Sequence, residues 1–494
     1  MSVARADARR RVARQGTPAN GSSIPSGVLV ADPPPHARPI GAGVTAPLVC
    51  SCGHPAPPHR TPICEHLRDA VEGWITCLRW YTGHGLDADW LCSECAGRRE
   101  RGEPVDVVHV CEACFHHGNR DLWDADGTRG TPETVEAPHP APFDRTIVES
   151  PLPDGLRTAI DFSAVGGASE PDWMFLLEDG TVARYRATSE DLEVVARLTL
   201  RAEPDHTPWD GHRLTPHLHV SDDGRFIAVV NDYGRWGLVW DVLTGRRTLE
   251  VDGGDYHSDT VPLSFSFVRL GHGWGAIHRS DWNRLDVADA STGELLTHRD
   301  PPRFVEGKPA PDHYLDYFHG RLLVSPDGRR VADDGWIWHP MGSVVLWSVD
   351  PWLNGNPWES EDGASLRTTC QREYYWDQGA CWLDSDRLAI GGLGDGFDDV
   401  VPGARIFAVG EDDPTSRPRW PQAREVTAFA GPDGDLFSDG DRLFSSNADG
   451  LSVWDVEAGA RLGRITGFHP TRAHGGAGEL AELAGGTLRR WRCR

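Results

Sequence analysis

The chain has 494 residues, 39% of them apolar and 25% charged, room for two or three domains or for one large repeat domain with additions. No run of about 18 apolar residues occurs, which excludes a transmembrane helix. The formal charge of −25 argues against general nucleic-acid binding, because phosphate neutralisation needs a basic surface.

Residues 1–46 run against that charge, with six Arg and two Asp. Arg9-Arg10-Arg11 is followed by a Pro-, Gly-, Ser- and Ala-rich stretch without periodicity, so the segment reads as a disordered tail. The arginines invite a twin-arginine signal reading, but the apolar run behind them is only Val28–Ala31, too short for an h-region. Lys308 is the single lysine, a bias that points to a GC-rich bacterial genome.

Residues 47–118 form a Cys/His-rich module that holds eight of the eleven cysteines. Clustering in C-x-x-C pairs points to metal in a reducing, cytoplasmic setting rather than to disulfides. Cys92 and Cys95, then Cys111 and Cys114 fifteen residues later, match the spacing of zinc ribbons, in which two knuckles give a tetrahedral four-sulfur Zn2+ site. The competing reading is a redox dithiol. A second zinc has candidate ligands in Cys50 or Cys52, His54, Cys64 and His66, against the reading that some of these are ordinary turn residues. Cys77 lies in an apolar segment and reads as a core thiol.

The four pairs superficially resemble a cross-braced RING finger, but the long gap from His66 to Cys92 and the single spacer in Cys50-Ser51-Cys52 depart from that pattern. No ubiquitin-ligase function is carried over. The module has six Arg against ten Asp and Glu, so it lacks the basic balance of a DNA-reading finger. A structural zinc that replaces a missing apolar core is the expected role.

Residues 119–144 are rich in Asp, Thr and Pro and read as a linker. Thr146–Val148 could form one isolated strand. Beyond it, Gly211–Gly245 shows short runs at His217–Val220, Phe226–Val230 and Gly237–Val242, separated by the turn signals Ser221–Gly224 and Asn231–Gly234. This is an antiparallel meander. With Gly211-His212, 27 intervening residues and Trp240-Asp241, the stretch resembles one repeat of the WD40 family of β-propellers.

The pattern recurs. Third-strand endings fall at Tyr185, Trp240, Ala288, Trp347, Phe407, Trp454 and Trp491, and Asp-Gly turns repeat upstream. Seven units predict an all-β fold: a seven-bladed propeller of four-stranded antiparallel blades over residues 145–494. The last unit is one strand short, and Thr146–Val148 is placed to complete it.

No P-loop, Rossmann, H-E-x-x-H or G-x-S-x-G motif is present. Gly391–Gly396, with Asp398 and Asp399, reads as a loop that could bind a cation. His217 and His219 alternate on one strand and could share a metal, but they lack a third ligand in register. Trp336-Ile337-Trp338, Trp352 and Trp358 suggest an aromatic face, either blade packing or a partner-binding patch. The WD40 resemblance implies an interaction scaffold with unidentified protein partners. The lack of a catalytic constellation makes a non-enzymatic role the expectation, and the acidic charge and the lack of a long apolar run argue against nucleic-acid and membrane roles. The alternatives are a propeller hydrolase or lyase with a His/Asp site at the central channel, and nucleic-acid binding through the zinc module.

Overall fold

The structure is a computed structural model. Of residues 1–130 it describes 61–64, 77–81, 88–92, 95, 98–99, 101 and 103–110. From 134 onward it describes all but 139–142, 204–207, 301, 303–304, 306–308, 339–340, 395–399, 413–420 and 494. The tail expected over 1–46 lies outside the described residues. The chain divides into two compact units, 1–130 and 131–494.

In the first unit, four strands lie in the order Cys77–Tyr81, Ala88–Cys92, Thr61–Cys64 and Val107–Val110. Thr61–Cys64 runs parallel to Ala88–Cys92, with Ile63 beside Trp90. The other two pairings are antiparallel.

The second unit is the expected propeller. Seven separate sheets follow one another along the chain. All seven aligned endings, from Tyr185 to Trp491, fall on the third strand of their blade. The first strands of most neighbouring blades abut, so they surround the axis.

Blade three departs from the four-stranded plan. It has three strands, and a single bridge between Ala288 and Leu295 stands where the fourth would run. Blade six is augmented instead. Val135–Glu136, inside the expected linker, adds a parallel edge strand beside Ala460–Arg461. The strand Ile147–Pro151 pairs antiparallel with Thr487–Arg492 and closes blade seven with residues from the start of the unit, which caps an edge that would otherwise be open.

Blades stack face to face, so their central strands are buried on both sides and read as apolar runs. Phe226–Val230 is buried throughout. The core is accordingly divided among the seams. Met174 and Leu176 of blade one meet Ile227 and Val229 of blade two. Val287 of blade three meets Val331 and Trp347 of blade four. Phe444 and Val453 of blade six meet Leu480 and Trp491 of blade seven.

The turns repeat one chemistry. Ser221 Oγ donates to Asp223 Oδ1 (2.7 Å) and accepts from Phe226 N (2.9 Å). Ser325, Asp327 and Arg330 N do the same in blade four. Gly224 and Gly328 take φ of +70° and +72°, the left-handed region that Cβ disfavours. The Asp of the Trp240-Asp241 pair caps the next turn by accepting from Leu243 N and Thr244 N, and Asp455 repeats this with Glu457 N and Ala458 N. These are Asx turns. Trp240 itself is only half-buried, at the margin of the cluster between blades one and two.

Candidate interaction face and central channel

Antiparallel order sends the second-to-third-strand turns and the blade-to-blade links to one end of every blade, the crossover face. First-to-second and third-to-fourth turns go to the other. Between the faces a cavity of about 910 Å³ follows the axis, lined among others by His217, His219, Asp232, Tyr233, Arg321 and Arg472.

The two singled-out histidines therefore face the channel, with rings 4.7 Å apart. His217 Nδ1 lies 3.3 Å from Asp232 and 3.8 Å from Asp161. Burial would lower its pKa, but the two carboxylates outweigh burial and raise it. His219 packs edge-on to Phe265, and burial, with the neighbouring His217, drives its pKa well down. The strand pleat sends both rings inward only because Leu218, between them, packs into the blade seam.

Much of the channel's charge is engaged, although Arg321 Nε and Asp334 Oδ1 have no hydrogen-bond partner. Asp161 of blade one accepts from Leu218 N of blade two (2.7 Å) and from Arg472 Nη2 of blade seven (2.5 Å). Tyr233 of blade two donates its hydroxyl to Asp377, on the link between blades four and five. Arg321 donates to the Gln378 carbonyl. Gln378 N donates to Asp334 Oδ2 (3.2 Å). Burial pushes the Asp334 carboxyl up to about 6, against the pull of Arg321 and Arg372. Convergence of His and carboxylates from different blades within hydrogen-bond reach would favour a hydrolase or lyase at this axis. His217 and Asp232 meet that distance but share a blade. Asp161 comes from another blade and lies beyond it, with both oxygens committed elsewhere.

The aromatic face divides in two. Trp352 and Trp358 belong to the insert after the third strand of blade four, where Trp352 (1% exposed) packs on Trp347 and Trp358 stacks on His313. Trp336 and Trp338 sit on the crossover face. Trp336 stacks on Phe318 (4.0 Å, 9°) and on Trp376 (5.4 Å, 20°). Trp282 lies 4.4 Å from Phe318, and Trp209 lies 5.7 Å from Trp376. Trp376 Nε1 donates to the Thr260 carbonyl (3.2 Å), so links from three blade junctions meet in one cluster. Above it Tyr256 is 47% and Trp338 41% exposed. Tyr256, Trp282, Phe318 and Trp376 carry no signal of this in their spacing. The available signal was chemical: Asp255-Tyr256, Asp281-Trp282 and Trp376-Asp377 place aromatic and acid together in link or turn segments.

Of the expected metal ligands, Cys64 ends strand Thr61–Cys64 and Cys92 ends strand Ala88–Cys92. The parallel register puts these two strand ends side by side. Cys77, read as a core thiol, is the register partner of Cys92. Cys95 is buried. Cys50, Cys52, His54, His66, Cys111 and Cys114 lie outside the described residues, as do Asp398 and Asp399. Val110, the residue before Cys111, is paired with Thr61, at the far end of that strand from Cys64. Among the described residues no group of three His, Cys, Asp or Glu side chains is arranged to hold a metal.

No protein-family model matches the chain, and no curated protein matches it. Among solved structures it is similar to a chain of a mitotic checkpoint complex, at 16% identity and a TM-score of 0.41, covering 74% of this chain and 98% of that one. It is also similar to the β-propeller domain of Myceliophteria thermophila Cps50 (Swd1), at 14% identity and a TM-score of 0.40, covering 68% and 96%.

Proposed function

We propose that the chain is a non-enzymatic platform for protein–protein contact, and that it engages its partner through the crossover face. The carrying observation is the aromatic cluster there. It is rigid beneath, where Phe318, Trp336 and Trp376 are buried, and open above at Tyr256 and Trp338. Buried aromatic anchors with an accessible rim are the usual energetic centre of an interface. In the channel, by contrast, Asp161, Arg472 and the Tyr233–Asp377 pair join blades.

A photo-crosslinking residue at position 338 tests this in the native host. A discrete protein adduct is expected there and none from position 243, a 77% exposed residue on the opposite face. Equal labelling from both positions would remove the reading.

We also propose that Zn2+ is a structural ion of the first unit, which would be consistent with a reducing, cytoplasmic setting. The thiol-rich donor set supports zinc, and so does the register that brings the ends carrying Cys64 and Cys92 together. Cys92 and Cys95 would hold the ion in either of two sets, completed by Cys111 and Cys114 or drawing on Cys64. The ion would fix strand ends that the short sheet cannot hold alone.

A further inference from the structure

We propose that the aromatic cluster over blades three and four docks a basic, arginine-bearing peptide segment of the partner. This rests on the platform reading and specifies the chemistry of its ligand.

Besides Trp209, five segments build the cluster: 253–263, 281–283, 311–318, 336–338 and 373–378. Not one Lys or Arg occurs in them. Asp255, Asp259, Asp281, Asp312, Asp316, Glu373 and Asp377 do, and all but Asp259 and Asp377 are exposed, Asp255 with 87% of its side chain. Of the arginines nearest in the fold, Arg235 reaches the rim, with Nη1 3.7 Å from Asp255, but its Nε and Nη2 are already held by Asp252, so the rim keeps an acidic excess. Two others are buried. Arg279 is 2% exposed and donates to the carbonyls of His319 and Gly234. Arg372 is 1% exposed and donates to the Gly391 carbonyl.

The aromatic floor inside this rim is set before any ligand arrives. His257 is wedged edge-on against Phe318, Trp336 and Trp338, at 90°, 88° and 84°. Its backbone is held at φ 52°, a region that a residue with a Cβ enters only at some cost. Tyr256 also stacks on Phe318. Preorganised rings lose little entropy on binding.

Indole and phenol faces beside carboxylates suit a guanidinium. Its plane stacks on the ring while its N–H groups pair with the acid. An acidic peptide or a nucleic acid would meet repulsion from the same rim, and a purely apolar peptide would leave the carboxylates desolvated without a partner.

The full chain is titrated with a short fluorescein-labelled peptide alternating Arg and Gly, and with its Gln-for-Arg counterpart, at physiological salt. Fluorescence anisotropy is expected to show binding of the Arg peptide and none of the Gln peptide. Trp338→Ala with Tyr256→Ala leaves net charge unchanged and is expected to weaken binding by about tenfold or more. Asp255→Asn with Asp281→Asn should weaken it comparably and flatten its salt dependence. Asp154→Asn with Glu193→Gln removes the same charge elsewhere, from blade one and the link that enters it, and should change binding by less than about twofold. All three variants replace exposed side chains or conserve shape, and unchanged thermal unfolding confirms that each is folded.

Parent-like binding by the aromatic variant, or an equal loss in the Asp154/Glu193 variant, overturns the proposal in favour of a diffuse acidic field. A failed peptide titration alongside a protein adduct from position 338 overturns the basic-peptide assignment and leaves the platform standing. Failure of both removes both.

Discussion

Asp161 and Arg472 stand 311 positions apart in the chain and meet across the first strands of blades one and seven. The Asp161 carboxylate serves two seams at once, because its second oxygen accepts Leu218 N of blade two. Arg472 also donates from Nε to the Phe162 carbonyl (2.8 Å). Asp161 is 8% exposed, so its loss strands a backbone N–H and a guanidinium with little water to replace it. Asp161→Ala is expected to lower unfolding free energy by about 2–4 kcal/mol. The Arg472→Ala change should cost less, about 1–3 kcal/mol, because that side chain is a quarter exposed. Denaturant unfolding of both single variants and the double variant measures the coupling. Strict additivity would show that the pair does not link the blades.

Ring closure by Ile147–Pro151 is a second such joint. Trp491 Nε1 donates to the Asp144 carbonyl (2.7 Å), just ahead of that strand. A chain starting at Thr131 keeps both features and is expected to remain folded and monodisperse. A chain starting at Pro153 bares the Thr487–Arg492 edge, and bare edges recruit other chains. Light scattering should show it self-associating at concentrations where the longer chain does not. Equal behaviour of the two would mean that the strand is dispensable.

Trp454 shows what the repeat pattern made legible. Its indole is 1% exposed, donates to Ser445 Oγ (2.9 Å) and packs 6.0 Å from Phe429 of the preceding blade. Third-strand Trp, Asx turns and Gly-bearing turns obey local rules, so their repetition in the sequence revealed seven blades and even the missing outer strand. Blade three kept a third strand at Ala288 but lost its fourth, and nothing periodic marks that loss. The Asp161–Arg472 joint and the Tyr256–Phe318–Trp376 cluster join residues brought together only by ring closure or by neighbouring blades, and single-chain spacing cannot encode those distances. Trp454→Ala is expected to cost about 3–5 kcal/mol, read as a drop in the denaturant midpoint. A change within about 0.5 kcal/mol, the size typical of surface substitutions, would deny the seam its assigned role.

Asp334 gives a pH signature. Its carboxyl is 2% exposed, one oxygen accepts Gln378 N and the other has no hydrogen-bond partner. Burial raises its pKa to about 6 from an ordinary value of 3.8. The folded state therefore prefers the protonated form. The stability this group contributes is complete below the unfolded pKa and is lost as pH rises through about 6. Asp334→Asn should remove that loss. The variant's stability relative to the parent should climb by about 1–3 kcal/mol from pH 4 to pH 7 and then level off. The loss of a negative charge beside Arg321 and Arg372 adds a near-constant offset, so the slope of the difference is the readout. A flat difference would place the titration outside this pH window.

The zinc proposal separates into two ligand sets that one pair of variants resolves. Spacing groups Cys92 and Cys95 with Cys111 and Cys114. Register instead sets the end that carries Cys92 beside the end that carries Cys64, whereas Val110 pairs with Thr61 at the opposite end. Metal analysis of the purified full chain is expected to show at least one zinc, and Cys92→Ser should remove one equivalent in either set. If the register governs, Cys64→Ser removes that same equivalent and Cys111→Ser leaves it in place. The spacing-based set predicts the reverse. Chelation should unfold the first unit, and because the propeller has its own seams, its thermal transition should stay within a few degrees of the parent. Zinc content unchanged in all three variants would exclude both sets.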